Sequence, residues 1–333
     1  MSAPLHGGPD ALGVPEHDFS TNANACGPCP LALQALAQAD RARYPDPAYS
    51  ALTAALAAFH GVAPERIVLA ASASEFIHRI SALAAHCGLR RAFLPAHGYG
   101  DYARAAGLWG LEPCSAQGGD DGWAGLHWAC EPASPLGGVD PAIDGWGAAG
   151  AAWRVLDRAY APLCLAGAPR RLQGRAWSLY SPNKALGLTG VRAAYAIAPP
   201  QALEEGVAQR LRALAPSWPV GADGVALLHS WVQPETQAWL GASLPVLRAW
   251  KAQQEALCAD FGWQVVPGSL ANFFTARLPH GAQMAPLLQA LRAAGVKLRD
   301  CASFGLPGHV RLGVLAPASQ EALGQALRRY HRA

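Results

Sequence analysis

Between Arg66 and Ala198 the chain alternates short apolar runs with longer helical patterns, and this restricts the fold more than any other feature. Arg66–Ala70, Arg91–Leu94, Leu126–Cys130, Ala152–Leu156, Trp177–Tyr180 and Arg192–Ala198 read as strands. Ser74–Ala85 reads as a helix, and Asp101–Gly107 begins another. Parallel strands need crossover helices between them, so this order predicts a mostly parallel α/β sheet wrapped by helices. Beyond about residue 221 the pattern changes. Helices are expected over Val225–Trp231, Leu244–Phe261 and Ala285–Ala294, with strands over Asn272–Leu278 and His309–Val314. A smaller α+β C-terminal domain follows from that. The expected division is 1–43 as an N-terminal arm and helix, 44–220 as the large α/β domain, and 221–333 as the small one.

Composition narrows the function. Only 15% of the 333 residues are charged and the formal charge is +3, with no Lys/Arg-rich block. Nucleic acid and anionic membranes are therefore not expected as partners. No apolar run approaches the roughly 18 to 20 residues that span a bilayer, and MSAPLHGGPD lacks a signal-peptide pattern. The expected location is the cytoplasm. Eight cysteines are scattered, which argues against a disulfide framework. Cys26-Gly27-Pro28-Cys29 has redox spacing, but no βαβ frame precedes it. It reads as small residues in a turn before a helix. No metal-ligand spacing occurs.

In parallel α/β sheets, ligands bind beyond the carboxyl ends of the strands. After Ala70 comes Ala71-Ser72-Ala73-Ser74-Glu75, where helix N-terminal amides and a hydroxyl suit an anion. A plain serine cap explains the same residues. After Leu94, Tyr99 stands among glycines, as a ring held over something flat or as a packed loop tyrosine. After Leu156, Asp157-Arg158-Ala159-Tyr160 sets a carboxylate and a phenol at a strand end, or an Asp–Arg surface pair. Next comes SLYSPNKALGLTGVR, residues 178–192. Lys184 is one of only three lysines. A lysine with a lowered pKa forms Schiff bases with aldehydes, and the Arg192 fork suits a phosphate. Lys251 and Lys297 have no comparable neighbours. Together these parts describe a pyridoxal 5'-phosphate site.

On these residues the chain resembles the fold-type-I pyridoxal-phosphate enzymes, in the group holding histidinol-phosphate aminotransferase and threonine-phosphate decarboxylase. The resemblance runs over nearly the whole chain and implies a seven-stranded sheet. It implies that Lys184 binds the cofactor aldehyde and that Asp157 pairs with the ring nitrogen. Tyr160 would bond the ring hydroxyl, and Tyr99 would stack on the ring. Ala73, Ser74, Ser181 and Arg192 would hold the phosphate. Tyr44 would reach the neighbouring subunit's cofactor phosphate, making a homodimer with shared sites. Arg311 would clamp the substrate carboxylate.

His6-Gly7-Gly8, Asp18 to Asn24 and Leu298 to Phe304 look more like the decarboxylase branch. There His6, Asn24 and Arg299 are similar to positions that bind a phosphorylated amino acid substrate. The resemblance thus implies decarboxylation of threonine phosphate to aminopropanol phosphate for corrinoid biosynthesis. The alternative is an aminotransferase acting on histidinol phosphate or an aromatic amino acid. A third reading is a non-catalytic protein of this fold. It is motivated by departures from the family pattern: Ser134 in the place of an asparagine and Arg158 in the place of a glutamate. Asn183 and Leu186 also depart from that pattern.

Overall fold

The computed structural model describes residues 7–116, 123–146, 152–168, 170, 172, 174 and 176–332. The chain begins with the two-residue strand β1 (His17–Asp18), followed by α1 (Pro30–Ala37) and α2 (Ser50–His60). Gly61 ends α2 at φ 63°, a left-handed conformation that glycine adopts without a Cβ clash.

The large sheet is built from β2 (Ile67–Ala70), β3 (Arg91–Leu94), β4 (Glu112–Ser115), β5 (Leu126–Cys130), β6 (Trp153–Asp157), β7 (Trp177–Tyr180) and β8 (Ala194–Ile197). Their order is β2-β8-β7-β6-β5-β3-β4. β8 runs antiparallel to both neighbours, and the other pairings are parallel. The expected mostly parallel α/β sheet is what the chain forms. β4 was not foreseen. Its sequence, EPCS, has no apolar run because it lies at the sheet edge with most of its residues exposed. A proline is tolerated there.

The helices α3 (Ala73–His86) and α4 (Gly100–Leu108) pack together on this sheet, and α5 (Pro200–Glu204) and α6 (Val207–Ala213) follow β8. Phe76, Ile77, Ile80 and Tyr102 share one core with Val68, Trp128 and Trp177. The opposite face is covered by α2 and α7 (Ala222–Trp231), whose Leu56, Leu227 and Trp231 pack with Tyr195. Burying apolar area on both faces stabilises a parallel sheet at about 25 cal/mol per Å².

Next comes α8 (Pro234–Asp260). It starts ten residues before the expected Leu244 and runs through Pro245. Pro245 cannot donate to the preceding turn. Leu240 and Leu247, both buried in the core, hold the helix on either side of it. The chain ends with β9 (Gln264–Val265), β10 (Phe273–Arg277), α9 (Met284–Ala293), β11 (Val296–Lys297), β12 (Arg299–Asp300), β13 (His309–Gly313) and α10 (Pro317–Arg332). β12-β13-β10-β9 form an antiparallel sheet, while β11 pairs in parallel with β1. The N-terminal segment is thereby tied to the C-terminal part. No helix among the described residues is long and apolar enough to cross a membrane.

Candidate active site

The ends of β2, β3, β5, β6 and β7 open on one cavity of about 1050 Å³, closed on the far side by β12, β13 and the N-terminal segment. Its wall includes Ala73, Ser74, Tyr99, Ser134, Asp157, Tyr160, Ser181, Lys184, Arg192, Arg299 and Arg311. Eleven of the residues expected from the sequence thus meet in one place, although they are spread over 239 positions of the chain, from 73 to 311.

Asp157 is the last residue of β6 and is 5% exposed. Its Oδ1 accepts the Ala159 amide at 2.8 Å and its Oδ2 accepts the Tyr102 hydroxyl at 2.6 Å. Burial raises its pKa; the two hydrogen bonds and the charge of Lys184 act the other way. Burial and Asp157 push the Tyr102 phenol far upward, so it stays a donor. Tyr102 is fixed by stacking on Trp128 at 4.6 Å. Tyr99 meets Tyr102 edge-on, 5.8 Å between centroids, and its phenol is also raised by burial and by Asp101.

Lys184 lies in the loop after β7. Ser181 Oγ donates to Asn183 Oδ1 at 2.9 Å, and Asn183 Nδ2 reaches the carbonyls of Thr189 and Val191, each at 3.3 Å. Asn183, a departure from the family pattern, thus ties the two limbs of the loop together. Leu186 is fully buried, and its carbonyl accepts the Cys29 amide at 2.9 Å. The Lys184 Nζ stands 5.5 Å from the Tyr160 ring centre. The other lysines are committed elsewhere. Lys251 Nζ donates to Ser269 O, Ser269 Oγ and Ala271 O, and Lys297 Nζ is bound by Gly8 O and Asp10.

At the other side of the Asp157 pocket, Ser72 caps α3 by accepting the Glu75 amide at 3.0 Å. Ala73 and Ser74 therefore sit on the cavity wall at the positive end of a helix. The Ser74 hydroxyl is engaged by buried Asp101. Arg192 is exposed at the cavity rim. An amine, a buried carboxylate, aromatic faces and an anion-binding end suit a flat, phosphorylated aldehyde.

The opposite end of the cavity is formed by the small sheet. Arg299 and Arg311 are cross-strand neighbours, both at least nine-tenths buried. Arg311 Nη1 donates to Ser134 Oγ at 2.9 Å and Nη2 to Ser20 O at 2.8 Å. Its Nε has no partner among the described residues. Arg299 donates to Asp300 O and Ser303 Oγ and lies 4.7 Å from the Phe304 ring. Burial and the Arg311 charge lower its pKa. Like charges opposite one another destabilise a sheet, so a ligand carrying negative charge is the natural counterweight.

Asn24 is not part of this cavity. It is buried against α8, where Nδ2 donates to Ala185 O at 3.1 Å and Ser243 Oγ at 2.9 Å, and Oδ1 accepts the Cys26 amide. It supports the Lys184 loop from behind. Asn22 takes the place on the wall. It is 2% exposed, and neither polar atom of its side chain has a partner among the described residues. A buried amide left unpaired is costly, which makes Asn22 a candidate ligand contact. Two asparagines one residue apart gave the sequence no means of choosing between them. Tyr102 was also missed, although it lies in the first turn of α4, the helix that Tyr99 precedes.

The remaining expectations fall elsewhere. His6 lies outside the described residues; Gly7 beside it lines the cavity. Tyr44 is 76% exposed and does not line this chain's cavity. Arg158 points away to Arg170 O and Ser178 Oγ. Cys26 and Cys29 are free thiols, and Cys29 is fully buried at the start of α1. Their turn is a buttress: a Cβ on Gly27 would sit 3.1 Å from Leu186 O and 3.3 Å from Gly187 Cα. No group of three or more His, Cys, Asp or Glu side chains suited to a metal occurs among the described residues.

The profile of the family described as aminotransferase class I and II matches residues 15–117 and 146–329. The chain is 30% identical over 338 residues to histidinol-phosphate aminotransferase 1 of Thiobacillus denitrificans, covering 91% of this chain and 83% of that protein. It is 31% identical over 169 residues to histidinol-phosphate aminotransferase 2 of Pseudomonas fluorescens, where the match spans 50% of this chain and only 42% of that protein. Two solved structures share the fold. Histidinol-phosphate aminotransferase from Sinorhizobium meliloti, in complex with pyridoxal-5'-phosphate, superposes with a TM-score of 0.76 at 21% identity, covering 93% of this chain and 89% of that one. L-threonine-O-3-phosphate decarboxylase from Porphyromonas gingivalis gives 0.74 at 21%, covering 91% and 95%.

Proposed function

The chain belongs to the class I and II aminotransferase family, and on that premise we propose that it transfers the amino group of a phosphorylated amine of the histidinol-phosphate kind. Its cofactor is pyridoxal 5'-phosphate. When bound, that cofactor supplies an electron-poor ring that takes up the electron pair of a broken bond at the substrate Cα. The residues around it have separable tasks. Lys184 would hold the cofactor's aldehyde end and, once freed by the substrate amine, would be the base placed to take the Cα proton. Asp157 accepts a hydrogen bond from the ring nitrogen and keeps it protonated. Tyr99 covers one ring face, and Tyr160 with Ser134 serves the ring hydroxyl. Ala73, Ser74, Ser181 and Arg192 hold the phosphate, joined by Tyr44 of a second copy in a cytoplasmic homodimer. Arg311, Arg299 and Asn22 fix the substrate so that the bond to be broken stands upright on the ring.

The observation that carries this reading is the buried pair Arg299–Arg311 beside the unpaired Asn22 amide, facing Asp157 and Lys184 across one cavity. The relatives named histidinol-phosphate aminotransferase support the choice of amino transfer over the decarboxylation that the N-terminal motifs suggest. Decarboxylation of threonine phosphate stays as the second reading for one reason: a single small substrate bearing both a carboxylate and a phosphate engages two adjacent guanidiniums at once. The non-catalytic reading loses its motive. Ser134 is held by Arg311, and Arg158 lies off the cavity.

Purified protein supplied with histidinol phosphate and 2-oxoglutarate is expected to form glutamate without releasing CO₂. Release of CO₂ from threonine phosphate, with no keto acid required, transfers the assignment to the second reading. Lys184→Ala is expected to lower either activity by ~10³-fold and to abolish the visible absorbance of the bound cofactor. Retention of that absorbance would remove Lys184 from its role.

A further inference from the structure

Among the described residues, only Tyr49 (φ 49°) and Trp218 (φ 50°) take a positive φ without being glycine. Bulky side chains are strained in this conformation, and such strain persists only where the surroundings impose it. The two residues lie 169 positions apart, yet they brace the same corner. Tyr49 Oη donates to Val220 O at 2.7 Å and accepts the Val220 amide at 3.2 Å. Trp218 Nε1 donates to Pro45 O at 3.0 Å. The Trp218 ring stacks on Tyr44 at 4.2 Å between centroids, 19° from parallel.

What this corner displays is an aromatic pair facing water, with Tyr44 76% and Trp218 39% exposed. Tyr44 is stacked and braced, yet it contributes nothing to its own chain's cavity. The rim of that cavity is correspondingly open on the side of Arg104, Leu108 and Arg192, all exposed. Holding a side chain in advance lowers the entropy lost when it meets a ligand. Strain at a corner with no ligand of its own is understandable if the ligand belongs to another copy.

We propose that Trp218 is a positioning residue: the strained Tyr49–Trp218 corner presents the Tyr44 hydroxyl, ready oriented, to the cofactor phosphate held by a second copy of this chain. This rests on the shared-site homodimer proposed above and goes beyond it. It assigns a function to Trp218 and to the two unfavourable backbone conformations.

Three variants test it, each read by the dissociation constant for pyridoxal phosphate, by thermal stability and by sedimentation. Trp218→Gly removes the ring and also relieves the positive φ. It is expected to stay dimeric and as heat-stable as the parent, yet bind the cofactor roughly ten- to a hundredfold more weakly, as befits one lost hydrogen bond to a phosphate. Tyr44→Phe keeps the stack, loses the hydroxyl, and is expected to weaken binding to the same extent. Trp218→Phe keeps a stacking ring and is expected to retain most of the affinity. If Trp218→Gly binds as the parent does while Tyr44→Phe is weakened, the brace is overturned and the shared site stands. If Tyr44→Phe also binds normally, the shared site falls and the brace falls with it. Dissociation of Trp218→Gly into monomers would make Trp218 an assembly residue instead and overturn the proposal.

Discussion

The two ends of the cavity are built on opposite plans. At the large-sheet end, polar groups are largely paired within the protein: both Asp157 oxygens accept hydrogen bonds, Asn183 closes its loop, and Ser74 is engaged by Asp101. At the small-sheet end, buried groups lack protein partners among the described residues: both polar atoms of Asn22 and Arg311 Nε. Two guanidiniums there also face each other. A paired end is preorganised and binds a permanent occupant with little rearrangement. An end with unpaired groups is stabilised only when its ligand arrives, and it discriminates strongly against ligands that fail to satisfy it.

Breaking the paired end should cost most. Asp157→Asn is expected to weaken pyridoxal-phosphate binding by up to about a hundredfold, because a buried charged hydrogen bond is lost. Tyr102→Phe should have a smaller effect of the same kind, about tenfold. Equilibrium titration of the apoprotein checks both, and equal affinities for parent and Asp157→Asn would dissolve the contrast. At the other end, Asn22→Ala should leave cofactor affinity untouched and raise the KM for the phosphorylated substrate about tenfold. A change confined to cofactor affinity would place Asn22 at the wrong end.

A last test probes the paired side away from the chemistry, through stability instead of binding. His60 Nε2 is bonded to Tyr195 Oη at 2.8 Å, and its pKa is lowered to about 4 by burial and by Arg158. The unfolded histidine, near 6.5, binds its proton first. Stability should therefore be full above about pH 6.5 and fall as pH drops toward 4, by on the order of 2 kcal/mol. Urea unfolding across that range should show a flatter profile in His60→Gln.

Much of this site could be read in the sequence because strand ends are legible there. Asp157, Lys184 and Arg311 each lie in or just beyond an apolar run, and the fold brings such positions together. The misjudged positions have a different physical basis. Asn22 and Asn24 differ only in which side of a turning segment faces the cavity, and long-range contacts with Ala185 and Ser243 decide that. The two departures that looked most damaging are matched by partners distant in the chain. Ser134 accepts a hydrogen bond from Arg311, and Arg158 donates to Arg170 O and Ser178 Oγ. No local pattern announces such a pair. β4 was invisible for the opposite reason: an exposed edge strand needs no apolar signature.

The scarcity of lysine has a practical meaning once the three are placed. Two are occupied by carbonyls and a carboxylate, and the third alone opens on the cavity. For an amine-seeking aldehyde that enters this pocket, the folded chain offers a single side-chain target. Among the side chains, reductive labelling in the pocket would thus mark Lys184, and the choice would be made by the architecture instead of by the reagent.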